Sequence, residues 1–128
     1  MTDKMPTIVV VDDSATSIVL YQHGLQNLAV NFIGFKSSND ALPYLQEHQP
    51  DLLFLDIVMP GMDGLSLLRL LRTLAHQKDT RVIMLTSKDY AQDRQVAEQL
   101  GAMDFLIKPL RQKEIRETVC KYIDVKPK

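Results

Sequence analysis

Asp12-Asp13, Asp56, Thr86 and Lys108 each stand directly after a short apolar run, at four separate places in the chain. Carboxylates brought together repel one another, and their pKa values rise unless a cation is present. Hard oxygen donors of this kind suit Mg2+, which takes one or two carboxylates, keeps several waters and shares a phosphoryl oxygen. Lys108 supplies a compact positive charge for a remaining carboxylate or for a bound phosphoryl group. Thr86 offers a hydroxyl, and Ser87 beside it is small enough to leave room. Asp56 is then the natural nucleophile for in-line phosphoryl transfer, and the chemistry implied is formation of an aspartyl phosphate. Taken singly, each residue has an ordinary explanation: Asp13 or Ser14 as a helix cap, Lys108-Pro109 as a turn. Their joint occurrence at one end of one sheet is what carries the chemical reading.

The elements that must bring them together are legible in the apolar pattern. Thr7–Val11, Leu52–Leu55, Arg81–Leu85 and Phe105–Ile107 are runs without polar alternation, so each is expected to be a strand buried on both faces of a parallel sheet. Val30–Phe35 alternates somewhat and reads as an edge strand. Helical spacing fills the intervals. Ser14 to Leu28 places Thr16, Leu20, Tyr21, Gly24 and Leu28 on one face. Ser38 or a neighbour can cap a second helix through Gln46, with Pro43 near its first turn or two. Gly64 to His76 carries a wide leucine stripe, Tyr90 to Leu100 stops at Gly101, and Arg111 to Ile123 presents Ile115, Val119 and Ile123.

Strand and helix thus alternate five times, which predicts an α/β fold: a flavodoxin-like, doubly wound five-stranded parallel sheet of order 2-1-3-4-5 with five helices. Ligands in such a sheet sit beyond the carboxyl ends of the strands, where strand order reverses. Asp12, Asp13 and Asp56 would converge there, faced by Thr86 and Lys108. Residues 1–128 are expected to form one domain, without repeat or linker.

Composition narrows the partners. Fifteen Lys and Arg against sixteen Asp and Glu give a net charge of −1, without the basic excess of a general nucleic-acid binder. An apolar content of 45% is enough to build a core. A lone Cys120 forms no intrachain disulfide, and no apolar run is long enough to span a membrane. With no signal peptide visible either, the chain is expected to be cytoplasmic, with no nucleic acid or membrane as partner.

The strings Val9–Ser14, Leu55-Asp56-Ile57-Val58-Met59-Pro60-Gly61-Met62-Asp63-Gly64, Leu85-Thr86-Ser87 and Lys108-Pro109 resemble the receiver domains of two-component response regulators. The resemblance runs from about Thr7 to Ile123, and the Asp-x-x-Met-Pro-x-Met-Asp-Gly stretch is its most specific part. It implies that Asp12, Asp13, Asp56 and the backbone carbonyl of Val58 hold Mg2+. It further implies that Asp56 accepts a phosphoryl group from the phosphohistidine of a sensor histidine kinase or histidine phosphotransfer protein. Thr86 and Lys108 would hold the phosphoryl oxygens, and the Lys108-Pro109 bond would be cis. Phe105, three residues before the lysine, falls at the family's aromatic switch position. Val58 and Lys88 fall where the family tunes hydrolysis of the aspartyl phosphate. The implied output is a changed surface on the fourth helix, fifth strand and fifth helix, read by a downstream partner, with the chain a monomer or a phosphorylation-dependent dimer. In this reading the chain is a phosphoacceptor and not an enzyme.

Other readings share parts of the pattern. A flavodoxin-like electron carrier has the same fold, but Asp12-Asp13 would repel a flavin phosphate and aromatic residues are few. A haloacid-dehalogenase-like phosphatase usually has a second aspartate two positions after the nucleophile, where this chain has Val58. A phosphorylation-independent binding module would not need the full acidic set. On the first helix, Val19 points away from the apolar face and offers a docking point for the phosphodonor. His23, His48 and His76 show no metal spacing and read as surface residues. Arg69 and Arg72 are expected on the solvated face of the third helix, and Lys126–Lys128 as a disordered tail.

Overall fold

A computed structural model of the chain describes residues 5–128. The elements run β1 (Thr7–Val11), α1 (Ala15–Leu25), β2 (Asn31–Phe35), α2 (Ser38–Glu47), β3 (Leu52–Asp56) and α3 (Gly64–Leu71). A 3-10 turn at Ala75–Gln77 precedes β4 (Val82–Thr86), α4 (Ala91–Gln99), β5 (Asp104–Ile107) and α5 (Gln112–Tyr122). All strand pairs are parallel, and the order is β2-β1-β3-β4-β5, as the alternating pattern predicts.

Successive side chains of a strand point to opposite faces, so each apolar run feeds two cores. Val9, Val11, Leu53, Leu55, Val82 and Met84 pack with Ala41 and Leu45 of α2, Leu67, Leu68 and Leu71 of α3 and Ala97 of α4. Ile8, Val10, Leu52, Phe54, Ile83 and Leu85 face the other way, onto Tyr21 and Leu25 of α1 and Ile115 and Val119 of α5. That division is why the three inner strands carry no polar alternation: neither face meets water.

Some expectations fail locally. β5 lies at the edge the predicted order assigns it; Phe105 and Leu106 pack against opposite cores but stay half-buried and Ile107 is 38% exposed, so its apolar run is not fully buried on both faces. In α1 the inward residues are Tyr21, Gly24 and Leu25, whereas Thr16 is exposed. The helix ends at Leu25, three residues before Leu28, which packs from the following turn. α3 also stops early, at Leu71, and a 3-10 turn takes over part of the remaining apolar pattern. α4 ends where Gly101 adopts φ 76°, a left-handed conformation that closes a helix without a Cβ clash.

Arg72 does not lie on a solvated face. Its Nε donates to the Leu100 carbonyl at 2.7 Å, and its Nη1 to the carbonyls of Gln77 and Thr80 at 2.8 and 3.0 Å. Its Nη2 donates to the Gly101 carbonyl at 3.3 Å, so one side chain joins the segments before β4 and after α4. Arg69 is exposed as expected. The tail is also ordered into the fold: Ala29 N donates to Lys126 O at 2.9 Å and Lys128 N to Asn27 O at 2.8 Å, around an antiparallel bridge between Leu28 and Pro127.

Candidate functional site

Backbone hydrogen bonds carry the sheet one residue beyond its strands and fix the site residues in register. Asp12 N donates to Phe35 O at 3.0 Å, Ile57 N to Leu85 O at 2.8 Å, and Lys108 N to Thr86 O at 2.8 Å. The ends of β1, β3, β4 and β5 therefore finish side by side, through Val11↔Leu55, Asp56↔Leu85 and Thr86↔Ile107. Gly64, at the start of α3, lies so close beneath the end of β3 that a Cβ there would stand 2.1 Å from the Asp56 carbonyl oxygen. Only a residue without a side chain lets α3 begin at this point.

Asp12, Asp13 and Asp56 each offer a carboxylate oxygen, and these oxygens lie within 4.8 Å of one another. Asp12 is 1% exposed and Asp56 5%, while Asp13 is open to solvent. Of the two candidate caps, Ser14 is the one that caps α1, accepting from Ser17 N at 3.2 Å. Asp12 Oδ1 accepts from Ser14 N at 2.9 Å, and Asp12 Oδ2 accepts from Lys108 Nζ at 2.7 Å. The same ammonium stands 3.4 Å from Asp56 Oδ2.

These neighbours set the electrostatics. Burial pushes the Asp56 carboxyl up from its usual 3.8 to about 6, with the charge on Asp12 adding to the rise. Lys108 opposes the shift through its charge and hydrogen bond, and Asp13 adds a smaller increment upward. Burial is the largest single influence on Lys108 and acts to lower its pKa, but Asp12 and Asp56 together hold it above the ordinary lysine value. Beneath the cluster the Tyr21 hydroxyl is raised well above the usual tyrosine value, by burial and then by the charges of Asp12 and Asp56. Three carboxylates against one ammonium leave excess negative charge. The donors are all oxygens, one of them solvent-facing, so the set fits a divalent, oxygen-preferring cation such as Mg2+.

The remaining predicted positions surround this cluster. Thr86 ends β4 fully buried, and its Oγ1 accepts from Lys88 N at 3.2 Å. Val58 lies in the turn after β3 with its side chain 60% exposed, and Ser87 and Lys88 are exposed in the turn after β4. The Lys108-Pro109 peptide is cis, as the resemblance implies. Val19 is 46% exposed on α1, and His23, His48 and His76 are exposed. Phe105 is half-buried on β5, with the guanidinium carbon of Arg94 4.6 Å from its ring centroid. Arg94 also grips Asp89, through Nε to Oδ1 at 3.0 Å and Nη2 to Oδ2 at 3.1 Å. Sequence reasoning missed Arg94, because an arginine on a polar helix gives no signal of what it covers on the next strand.

The chain resembles known proteins in both sequence and fold. The family model described as the response regulator receiver domain matches residues 8–120. Protein PilH of Pseudomonas aeruginosa is 32% identical over 120 residues, which cover 90% of this chain and 95% of PilH. The cyclic di-GMP phosphodiesterase response regulator RpfG of Xanthomonas campestris is 38% identical over 111 residues, 85% of this chain but 29% of RpfG. The chain spans between about a quarter and a half of the length of RpfG and two further curated relatives, at 29%, 46% and 23%. Among solved structures, the chemotaxis protein CheY4 of Vibrio cholerae superposes with a TM-score of 0.87 at 25% identity, covering 94% of this chain and 100% of CheY4.

Proposed function

Because the chain belongs to the response regulator receiver domain family, we propose that it acts as a single receiver domain that takes a phosphoryl group onto Asp56. The observation that carries this reading is the meeting of Asp12, Asp13 and Asp56 with the Lys108 ammonium, 2.7 Å from Asp12 and 3.4 Å from Asp56. An Asp56 carboxylate oxygen attacks phosphorus in line, an O–P bond forms, and the P–N bond of a donor phosphohistidine breaks, leaving the electron pair on the imidazole. Lys108 neutralises a phosphoryl oxygen, and the Thr86 hydroxyl donates to another. Asp12, Asp13, Asp56 and the Val58 carbonyl are the groups that would hold Mg2+, which when bound offsets the charge on the phosphoryl oxygens. The donor is a sensor histidine kinase or a histidine phosphotransfer protein, and the setting is cytoplasmic.

The switch follows from local chemistry. A phosphoryl group brings about −1.5 to −2 charge and three strong acceptors to a position that held one carboxylate. Thr86 moves toward it, and Phe105 turns into the volume vacated, altering the surface of α4, β5 and α5. Two packed states a few kcal/mol apart are sufficient for such a response. Incubation with Mg2+ and a small phosphodonor, followed by intact mass measurement, tests the reading. A gain of one phosphoryl group in the native chain and none in Asp56→Asn is expected; no gain, or equal gain in both, overturns it.

A further inference from the structure

Thr86 and Phe105 sit on adjacent strands, and a second physical connection between them runs around the outside of the sheet. Thr86 Oγ1 accepts the Lys88 amide at 3.2 Å, which holds the turn after β4 in its present shape. The next residue, Asp89, is the carboxylate gripped in fork fashion by Arg94, at 3.0 and 3.1 Å. The guanidinium so oriented lies over the Phe105 ring, 4.6 Å from its centroid, within the range of a cation–π contact. Arg94 belongs to the first turn of α4, where its amide donates to Tyr90 O at 3.1 Å, so its base is fixed while its head bridges turn and strand.

We propose that Arg94 is a positioning residue: tied to Asp89, it holds the Phe105 ring in its unphosphorylated rotamer. It is released when Thr86 gives up the Lys88 amide. This rests on the reading of Thr86 and Phe105 as the switch pair, and deepens it by naming what holds the aromatic in place. A hydroxyl that swings toward a phosphoryl oxygen no longer accepts from Lys88. The turn then relaxes, Asp89 moves with it, and the fork loses one side of its grip. A planar guanidinium needs both the carboxylate and the ring to stay in this position; an ammonium would satisfy neither geometry as well. The ion pair is exposed and the ring it orients against is half-buried, and each contact is worth a factor of about two to five in the balance between rotamers.

The test reads Phe105 directly. Its χ1 rotamer populations are measured from three-bond couplings in the unphosphorylated full chain, for the native sequence, Arg94→Met, Arg94→Lys, Asp89→Asn and the double variant Asp89→Asn/Arg94→Met. Arg94→Met is expected to raise the minor rotamer about two- to tenfold, and Arg94→Lys to give a smaller rise. Asp89→Asn is expected to raise it alone but to add nothing once Arg94 is gone, since the two act as a unit. Unchanged populations in Arg94→Met, or additive effects of the two substitutions, overturn the latch. Backbone amide signals of β1, β3 and β4 report whether each variant is folded, and Arg94→Lys preserves the charge should Arg94→Met prove unstable. Phosphoryl uptake by the native chain is followed separately by mass, so failure of the receiver reading registers there and not in the rotamer populations.

Discussion

The Lys108 ammonium is shared unequally: it lies 2.7 Å from Asp12 and 3.4 Å from Asp56. Asp12, almost fully buried, has both oxygens engaged, one by Ser14 N and one by the lysine. Asp56 has the weaker hold and keeps a raised pKa. The residue proposed to attack phosphorus is thus the less neutralised of the two, while the lysine stands close enough to meet an incoming phosphoryl oxygen.

Replacement of the lysine separates its two effects. In Lys108→Met a positive charge that competes with a cation is removed, so Mg2+ affinity measured by calorimetric titration should rise about 3- to 10-fold. Phosphoryl uptake should fall at least about tenfold, because the ammonium proposed to meet the phosphoryl oxygens is gone. Without metal the variant should lose roughly 1–3 kcal/mol of stability, as the buried Asp12 carboxyl loses its ion-pair and hydrogen-bond partner.

The raised pKa of Asp56 has a sign that can be checked. Between pH 3.8 and about 6 the folded chain binds more protons at this carboxyl than the unfolded chain does. Stability from this group is therefore greatest at low pH and declines as pH rises through that window. In the absence of divalent cations, Asp56→Asn should raise stability near pH 7 by on the order of 1–3 kcal/mol, seen as an increase of several degrees in Tm. The difference should vanish below about pH 4, and added Mg2+ should stabilise the native chain more than the variant. Thermal unfolding across pH, with and without Mg2+, measures all three.

Thr86→Ala should still gain a phosphoryl group on Asp56, with the same mass change as the native chain. The response of α4, β5 and α5 should weaken, because the hydroxyl proposed to exchange the Lys88 amide for a phosphoryl oxygen is missing. Amide chemical shifts of residues 91–99 and 104–107, compared before and after phosphorylation, should move less than half as far as in the native chain. Equal movement would place the switch elsewhere.

Val19 is exposed on α1 and takes no part in the core. If a phosphodonor approaches Asp56 past this helix, Val19→Glu should slow phosphotransfer from the histidine-bearing donor about tenfold through lost apolar contact and added charge. Reaction with a small phosphodonor should be unaffected. Stopped-flow or gel-based transfer assays with both donors distinguish the two.

Much of this molecule is written in local pattern. The apolar runs at Thr7–Val11, Leu52–Leu55 and Arg81–Leu85 show their strands because both faces are covered, and the polar residue after each run shows the end at which the site lies. Phe105–Ile107 looks the same in sequence and takes the edge that the strand order assigns it, but it is only half-buried, since three residues are too few to show how far each face is covered. Arg72 is illegible for a different reason: its fork reaches past its own helix to the carbonyls of Gln77 and Thr80 nearby and of Leu100 and Gly101 far along the chain, and spacing along α3 carries no information on that reach. The docking of Lys126-Pro127-Lys128 is not legible in its composition, because it is held by backbone hydrogen bonds to Asn27 and Ala29.

That docked tail has a practical meaning. Asn27 and Ala29 precede β2, whose first residue is paired with the first residue of β1, so Lys126–Lys128 lie by the amino ends of the strands, across the sheet from the carboxylates. A fluorophore or surface tether attached after Lys128 would leave the crevice at Asp56 facing outward, unobstructed for reagents and for a macromolecular donor alike.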